Sequence, residues 1–417
     1  MDAGRQSSPD PASGTGVTGQ FLHYGHQDID ASDLAAVTEA LQSGYLTTGP
    51  RVGAFESAFA KSVGARHAVV SNSGTAALHL ACIALDLGAG DSVIVPAVTF
   101  LATANAARFC GADVIFADVD PDTGRLTAES FEAALAQHPN AAVRAVLPVH
   151  LNGHCVDMPA IRAIAEPRGI AVIEDACHAV GGRHQAGNNS LASVGSCALS
   201  ELACFSLHPV KTITTGEGGV TTTNDERAYR RMCSFRTHGM VREPEAFLNP
   251  DLGLDDEGVA NPWYYEMQTL GYNYRITDFA CALGLSQLQR LDRYAKRRRE
   301  LAARYDRLLA PLAPKIRPVP AASGDDPVLH LYAVLIDFAA IGHSRAAVIR
   351  DLKAAGIGTM VHYFPVNRQP YYRQLYGETR LPGAEAYYAR VLSIPLYPAM
   401  QDGDVDRVVD ALQGLVR

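Results

Sequence analysis

No run of ~18 uncharged apolar residues occurs in the sequence, so no membrane-spanning helix is expected. The opening MDAGRQSSPD has no apolar core of the kind a secretory signal needs, and a cytoplasmic protein is the expectation. Basic charge is not in excess. Lys and Arg number 36 against 44 Asp and Glu, for a formal net charge of −8, which argues against a general nucleic-acid binder. None of the eight Cys forms a C-x-x-C pair, and most sit in apolar runs such as AVIEDACHAV. They read as buried free thiols acting as small hydrophobes, so neither a disulfide framework nor a metal site is expected. Aromatics are few, with a single Trp.

What remains is an ordinary globular composition, 47% hydrophobic and 19% charged, in 417 residues. That length exceeds the ~250–300 residues at which single cores stop growing, so a large domain plus a smaller one is expected. Residues 2–20, rich in Ser, Gly, Pro and Asp, read as a disordered tail. From about residue 30 the pattern turns βα. ASDLAAVTEALQS is an amphipathic helix with Ser32 placed as N-cap. HAVVS, DSVIVP, ADVIFADVD, VRAVLPVH and GIAVIEDA are short β-branched runs separated by helical stretches. Such alternation predicts a mostly parallel sheet covered on both faces, an α/β fold. A polar loop at residues 241–262 interrupts the pattern and is long enough to be functional. TDFACALGLSQLQRLDRYAKRRRELAARYDRLLA then reads as one long helix, its basic run at residues 296–299 as a solvated face. Strand VLHLYAVLID, helix SRAAVIRDLKAAG, strand IGTMVHYFP and two helices complete a smaller α/β unit. The expected division is residues 21–285 for the large domain and 286–417 for the small one.

Three segments carry candidate chemistry. SNSGTAAL, at residues 71–78, places small residues at a strand-to-helix turn, where backbone N–H groups and the helix dipole favour an anion. Gly74 and Thr75 suit a phosphate, although a plain tight connection has the same composition, and the segment lacks the Rossmann and P-loop fingerprints. GIAVIEDACHAVG ends an apolar strand in Glu174-Asp175, at the strand end where ligands bind in parallel sheets. Asp175 reads either as a helix cap or as the partner of a protonated ring nitrogen, with His178 in the same pocket. ELACFSLHPVKTITTGEGG delivers Lys211 from an apolar strand that also bears Ser206. A lysine there is either solvated or a nucleophile activated by partial desolvation.

The order of phosphate turn, strand-end Asp and strand-borne Lys resembles the large domain of fold-type I pyridoxal-phosphate (PLP) transferases. SGYLTTGPRVGAFE, SNSGTAALHLA, VIVPAVTFLATANA, FADVDPDTG, PVHLNGHCVDM, VIEDACHAVG, FSLHPVKTITTGEGG, GYNYRITDFACALGLSQL and VHYFPVNRQPYY resemble the DegT/DnrJ/EryC1/StrS sugar-nucleotide aminotransferases. HPVKTITTGEGG and PWYYEMQTLGYNYR are most similar to the transaminases of UDP-4-keto-6-deoxy-N-acetylhexosamines, which supply 4-amino sugars for pseudaminic-type glycans.

The resemblance implies that Lys211 holds PLP as a Schiff base and shuttles the proton. It further implies that Asp175 keeps the pyridine nitrogen protonated, that His178 bonds the ring hydroxyl and that Phe100 stacks on the ring. Gly74, Thr75 and Ser206 are implied to cradle the phosphate. Asn273 of GYNYR matches a residue that reaches the phosphate from a partner subunit, which implies a homodimer with shared sites. Arg275, His362, Tyr363, Tyr45, Thr47 and Thr48 are candidates for substrate contact. The implied substrates are L-glutamate and a nucleotide sugar, with pyridoxamine phosphate (PMP) as the alternate cofactor form. Related dehydratases carry His where Lys211 stands. A nucleotide other than UDP, or a non-catalytic PLP-binding regulator on the same fold, is the alternative. Arg125 departs from the family at the DPDTG turn, as an expected surface change.

Overall fold

The computed structural model describes residues 20–187, 190–321 and 324–416. Apart from Gln20, the tail expected over residues 2–20 lies outside the described residues. Five of the β-branched runs form β1 (His67–Ser71), β2 (Ser92–Pro96), β3 (Asp113–Ala117), β4 (Val143–Val146) and β5 (Ala171–Asp175). With β6 (Leu202–Ser206) and β7 (Gly219–Thr223) they build a seven-stranded sheet of order β1-β7-β6-β5-β4-β2-β3. Only β7 runs against its neighbours; every other pairing is parallel. Helices α1 (Ala31–Gln42), α2 (Pro50–Val63), α3 (Gly74–Ala84), α4 (Leu101–Phe109), α5 (Ala128–Gln137), α6 (Met158–Ala165) and α7 (Glu226–Arg236) accompany this sheet. The strand centres are therefore dry on both sides, with Val93, Ile94, Val95, Val172 and Ile173 fully buried. Helix α3, rich in Ala, is buried on almost every face and packs close against β6, α4 and α7. No helix among the described residues is long and apolar enough to cross a membrane. All eight Cys are free and at least partly buried, as their apolar settings predict.

A smaller body follows. Its sheet is antiparallel, β8 (Ile316–Pro318), β9 (Tyr332–Ile336) and β10 (Val391–Ile394), in that order. Of the helices that follow, α8 (Asp278–Leu288) packs on α1 and α2 of the large body, α9 (Leu291–Leu309) and α10 (Arg345–Ala354) accompany the small sheet, α11 (Pro370–Tyr376) puts Tyr372 in the large core, and α12 (Pro382–Arg390) and α13 (Asp402–Gly414) join the small body again.

Several expectations are corrected here. The N-cap of α1 is Asp30, not Ser32: its carboxylate accepts from the N–H groups of Ser32 and Asp33, and Ser32 only hydrogen-bonds to it. The single long helix is two, α8 and α9. The chain leaves helical geometry at Arg290 (φ −107°), whose guanidinium turns to pair with Asp30 and Asp33. The stretch IGTMVHYFP is not a strand. Among the described residues its strand-type pairing is limited to single bridges, Leu22 to Ile357 and Met360 to Ser393, and the strand beside β9 is VLSI instead.

The basic run at residues 296–299 is not a solvated face. Arg298 is fully buried and donates to the carbonyls of Leu329, His330 and Leu396 at 3.0–3.2 Å. Arg297 bonds the Met400 carbonyl and Asp402, and Arg299 bonds Asp326. Burial pulls the Arg298 pKa down to about 10, while its hydrogen bonds all go to neutral carbonyls. Arg125 is likewise buried rather than on the surface, reaching the Pro320 carbonyl at 3.4 Å.

The two bodies do not divide at residue 286. Helix α9 belongs to both, with Leu291 and Tyr294 packed beside Phe55 and Phe59, and Leu301, Tyr305 and Leu309 in the small core. Leu22, expected in the large domain, is buried in the small core and pairs with Ile357. The 241–262 segment carries two short helical turns, Pro244–Ala246 and Pro250–Gly253, and none of its residues lines the main cavity.

Candidate active site

The carboxyl ends of β5 and β6, with the segments that follow β1 and β2, open on one cavity of about 650 Å³. That volume lies within the ~300–1,000 Å³ typical of small-molecule sites. The anion turn comes first. Ser73 caps α3, its Oγ accepting from the Ala76 N–H at 3.1 Å and its carbonyl from Ala77. The N–H groups of Gly74 and Thr75, in the first helical turn, have no acceptor within the helix. A Cβ on Gly74 would stand 2.8 Å from the Ser206 Cβ and 3.1 Å from its Oγ. Glycine alone lets the turn and Ser206 close on the same small volume. The same holds one layer back: a Cβ on Gly219 would lie 2.2 Å from the Ser73 carbonyl oxygen.

Asp175 is the last residue of β5 and is buried. Its Oδ2 accepts the Thr103 hydroxyl at 2.6 Å, and its Oδ1 accepts the Cys177 N–H at 3.2 Å. Both donors are neutral, so this buried carboxylate is left suited to a cationic partner. Lys211 is not strand-borne as expected. It lies in the turn after β6, its N–H bonded to the His208 carbonyl at 2.9 Å. Burial lowers the lysine pKa, with Cys177 and Asp175 pulling weakly the other way, and the net direction favours the neutral, nucleophilic amine.

His178 and Tyr363 face each other across the cavity wall. The backbone N–H of Asn152 donates to His178 Nδ1 at 3.3 Å, which puts the ring proton on Nε2, 3.1 Å from the Tyr363 hydroxyl. Burial first, then Lys211 and His362, hold His178 well below its ordinary pKa. His362 is bonded through Nδ1 to Ser393 Oγ at 2.8 Å and is pulled down to about 3 by burial, then by Lys211. Phe100, the N-cap of α4, presents its ring to the cavity 5.9 Å from that of Tyr363.

Thus Gly74, Thr75, Phe100, Asp175, His178, Ser206, Lys211, His362 and Tyr363 line one cavity. Asn273, Arg275, Tyr45, Thr47 and Thr48 do not. Asn273 is exposed at the rim, its carbonyl 3.4 Å from the Asn72 side-chain amide. Thr47 bridges Thr277, Tyr45 is exposed, and Thr48 and Arg275 line a separate pocket of about 230 Å³. Tyr24, Thr99 and His330 line the main cavity and escape sequence reasoning. His330 is the one with a signal, a lone His inside the apolar strand VLHLYAVLID. Tyr24 has none, because it arrives through backbone pairing, its carbonyl accepting from Leu396 at 3.2 Å.

No cluster of metal-ligating side chains occurs among the described residues. An anion cradle, a buried acid without a charged partner and a desolvated lysine fit pyridoxal phosphate.

Comparison with known proteins agrees. Residues 27–413 match the model of the DegT/DnrJ/EryC1/StrS aminotransferase family. The spore coat polysaccharide biosynthesis protein SpsC of Bacillus subtilis is 39% identical over 400 residues, 95% of this chain and 97% of SpsC. Among solved structures, PseC of Helicobacter pylori, an aminotransferase of pseudoaminic acid biosynthesis, superposes with a TM-score of 0.83 at 28% identity, covering 95% of this chain and 99% of PseC. Spr1654 of Streptococcus pneumoniae, solved in PLP and PMP forms, also gives 0.83, at 26% identity over 95% of this chain and 98% of its own. The chain belongs to the DegT/DnrJ/EryC1/StrS aminotransferase family, whose members work with pyridoxal phosphate.

Proposed function

We propose that this enzyme moves the amino group of L-glutamate to C4 of a UDP-linked 4-keto-6-deoxy-N-acetylhexosamine, a step in making amino-sugar glycans. The observation that carries the reading is the convergence of Lys211, Asp175 and the Gly74, Thr75 and Ser206 cradle on one cavity. Pyridoxal phosphate, when bound, supplies the electron sink for the pair left when the donor loses its α-proton. The chain does the rest. The N–H groups of Gly74 and Thr75 and the Ser206 hydroxyl bind the phosphate. Asp175 would hold the proton on the ring nitrogen, and Phe100 would offer its ring as a packing surface for the cofactor. His178, with its proton on Nε2, donates to the ring hydroxyl oxygen. The Lys211 amine anchors the cofactor and carries the proton between the donor α-carbon and the cofactor C4′. Preorganised charge of this kind is the protein's main contribution to rate.

His362 and Tyr363 line the same cavity and are given to the sugar in this reading, and SpsC and PseC are named for polysaccharide and pseudoaminic acid biosynthesis. A second copy of the chain completes the site in this reading, bringing Asn273 and Arg275, with Tyr45, Thr47 and Thr48, against the first copy's cavity. Exposed Trp263, Met267 and Leu270, close in sequence to Asn273, supply the apolar surface such a dimer buries.

Lys211→Ala is the direct test. Turnover and the absorbance of lysine-bound cofactor should vanish while the thermal midpoint stays near wild type, and wild-type turnover in that variant would end the reading. A panel of UDP-, dTDP- and GDP-linked 4-keto sugars with glutamate, followed by NMR of the product, decides the substrate. If 2-oxoglutarate forms with none of them, a cofactor-binding regulator replaces the enzyme.

A further inference from the structure

At the cavity wall, two threonines, one of them the lining residue Thr99, run in a line to Asp175. Thr103, in the first turn of α4, is fully buried and lies 2.6 Å from Asp175 Oδ2. Thr99 is 1% exposed, with its Oγ1 2.6 Å from that of Thr103. Three acceptors are open to the Thr103 proton: the Asp175 carboxylate, the Thr99 hydroxyl and, at the longer distance of 3.2 Å, the Phe100 carbonyl; the charged one is the strongest.

An ionised carboxylate only accepts, and a hydroxyl has one proton to give. With the Thr103 proton committed to Oδ2, the short contact between the threonines carries the proton of Thr99. Both directions are thereby fixed, Thr99 to Thr103 to Asp175, and each bond polarises the next. The other carboxylate oxygen is treated differently. Among the described residues Oδ1 accepts the Cys177 N–H, at the longer distance of 3.2 Å, and keeps lone-pair capacity for a further partner.

We infer that Thr103, backed by Thr99, is a positioning residue for the aminotransferase reaction. It holds the plane of the Asp175 carboxylate and keeps its charge in place, so that Oδ1 stays available to the cofactor's ring nitrogen. The same helical turn ties this to the ring face. Phe100 and Thr103 stand three residues apart, so the turn that places the aromatic in the cavity also places the hydroxyl on the acid. The inference rests on the reading of Asp175 as the ring-nitrogen partner.

The test uses the full-length apoenzyme, titrated with pyridoxal phosphate and followed by fluorescence, and the loaded enzyme, whose cofactor absorbance is followed against pH. Thr103→Val should weaken cofactor binding about tenfold and shift the pH titration of the absorbance. Thr103→Ser, which keeps the hydroxyl, should restore both to within about twofold of wild type. Thr99→Val, the milder change should Thr103→Val fold poorly, should weaken binding by about twofold to threefold. A Thr103→Val protein with wild-type affinity and pH titration overturns the inference. So does a Thr103→Ser protein as impaired as Thr103→Val, since shape rather than the hydroxyl would then matter. Asp175→Asn separates the two readings. If it binds cofactor like wild type, the role given to Asp175 fails. If it is impaired while Thr103→Val is not, the relay alone fails.

Discussion

Glu174 and Asp175 are consecutive acids on one strand, and the pleat sends them to opposite faces of the sheet. Glu174 is closed. His150 Nε2 lies 2.9 Å from its Oε2, Ser200 Oγ donates to its Oε1 at 2.5 Å, and the other His150 nitrogen accepts the Val156 N–H at 3.1 Å. Burial pushes its pKa up, but the His150 contact, nearby His184 and the Ser200 bond outweigh that and hold it below the usual value. Asp175 has only a hydroxyl and a single longer N–H bond. Both carboxylates are buried, and only one is finished by its own chain. In the proposed reading, that contrast separates an acid that holds the fold from one that binds the cofactor.

The contrast breaks or sharpens under substitution. The largest effect belongs to Asp175→Asn, which should lower kcat by about 10²–10³-fold, the scale of removing one preorganised electrostatic group. Its thermal midpoint should barely move, and a large stability loss instead would make Asp175 a second structural acid. Glu174→Gln should show the reverse. One of its two donors then faces an amide NH₂, a loss of about 1–3 kcal/mol measured by urea unfolding, with kcat within about twofold of wild type. Inactivity at unchanged stability would erase the distinction between the faces.

The buried histidines add an effect that is graded with pH rather than set by one substitution. Burial depresses the pKa values of His154, His178, His330 and His362, to about 3 for His154 and His362. The unfolded chain binds protons below pH ~6.5 that these folded rings refuse. Their stabilisation is therefore complete above that pH and is lost as pH falls toward the folded values, by up to about 1.4 kcal/mol per unit for each ring. A urea midpoint that stays flat from pH 7 to pH 5 would mean that the rings are protonated in the fold.

Much of this was legible in the sequence because it is local. β-Branched runs of four or five residues announce strands dry on both faces, and the order of the SNSGT turn, Asp175 and Lys211 announces the site. What escaped depends on contacts made across the chain. Nothing in KRRR tells Arg298 from its neighbours, since its burial comes from carbonyls some 30 and 100 positions away in sequence. The helix expected through Arg290 ends there because two acids at the start of α1 claim its guanidinium. Thr103 reads as one more small polar residue in ATANA until β5 is laid beside it. Tyr24 follows a stretch with no periodicity, and the pairing of Leu22 with Ile357 together with the bond from Leu396 brings it to the cavity.

Arg298 has a reach beyond packing. The carbonyls it gathers belong to the segments that carry His330 and Leu396, and the Leu396 N–H in turn grips the Tyr24 carbonyl. One guanidinium thus rivets three stretches of chain, two of which present side chains to the cavity. A change at Arg298 should therefore reach the cavity wall from a position outside its lining.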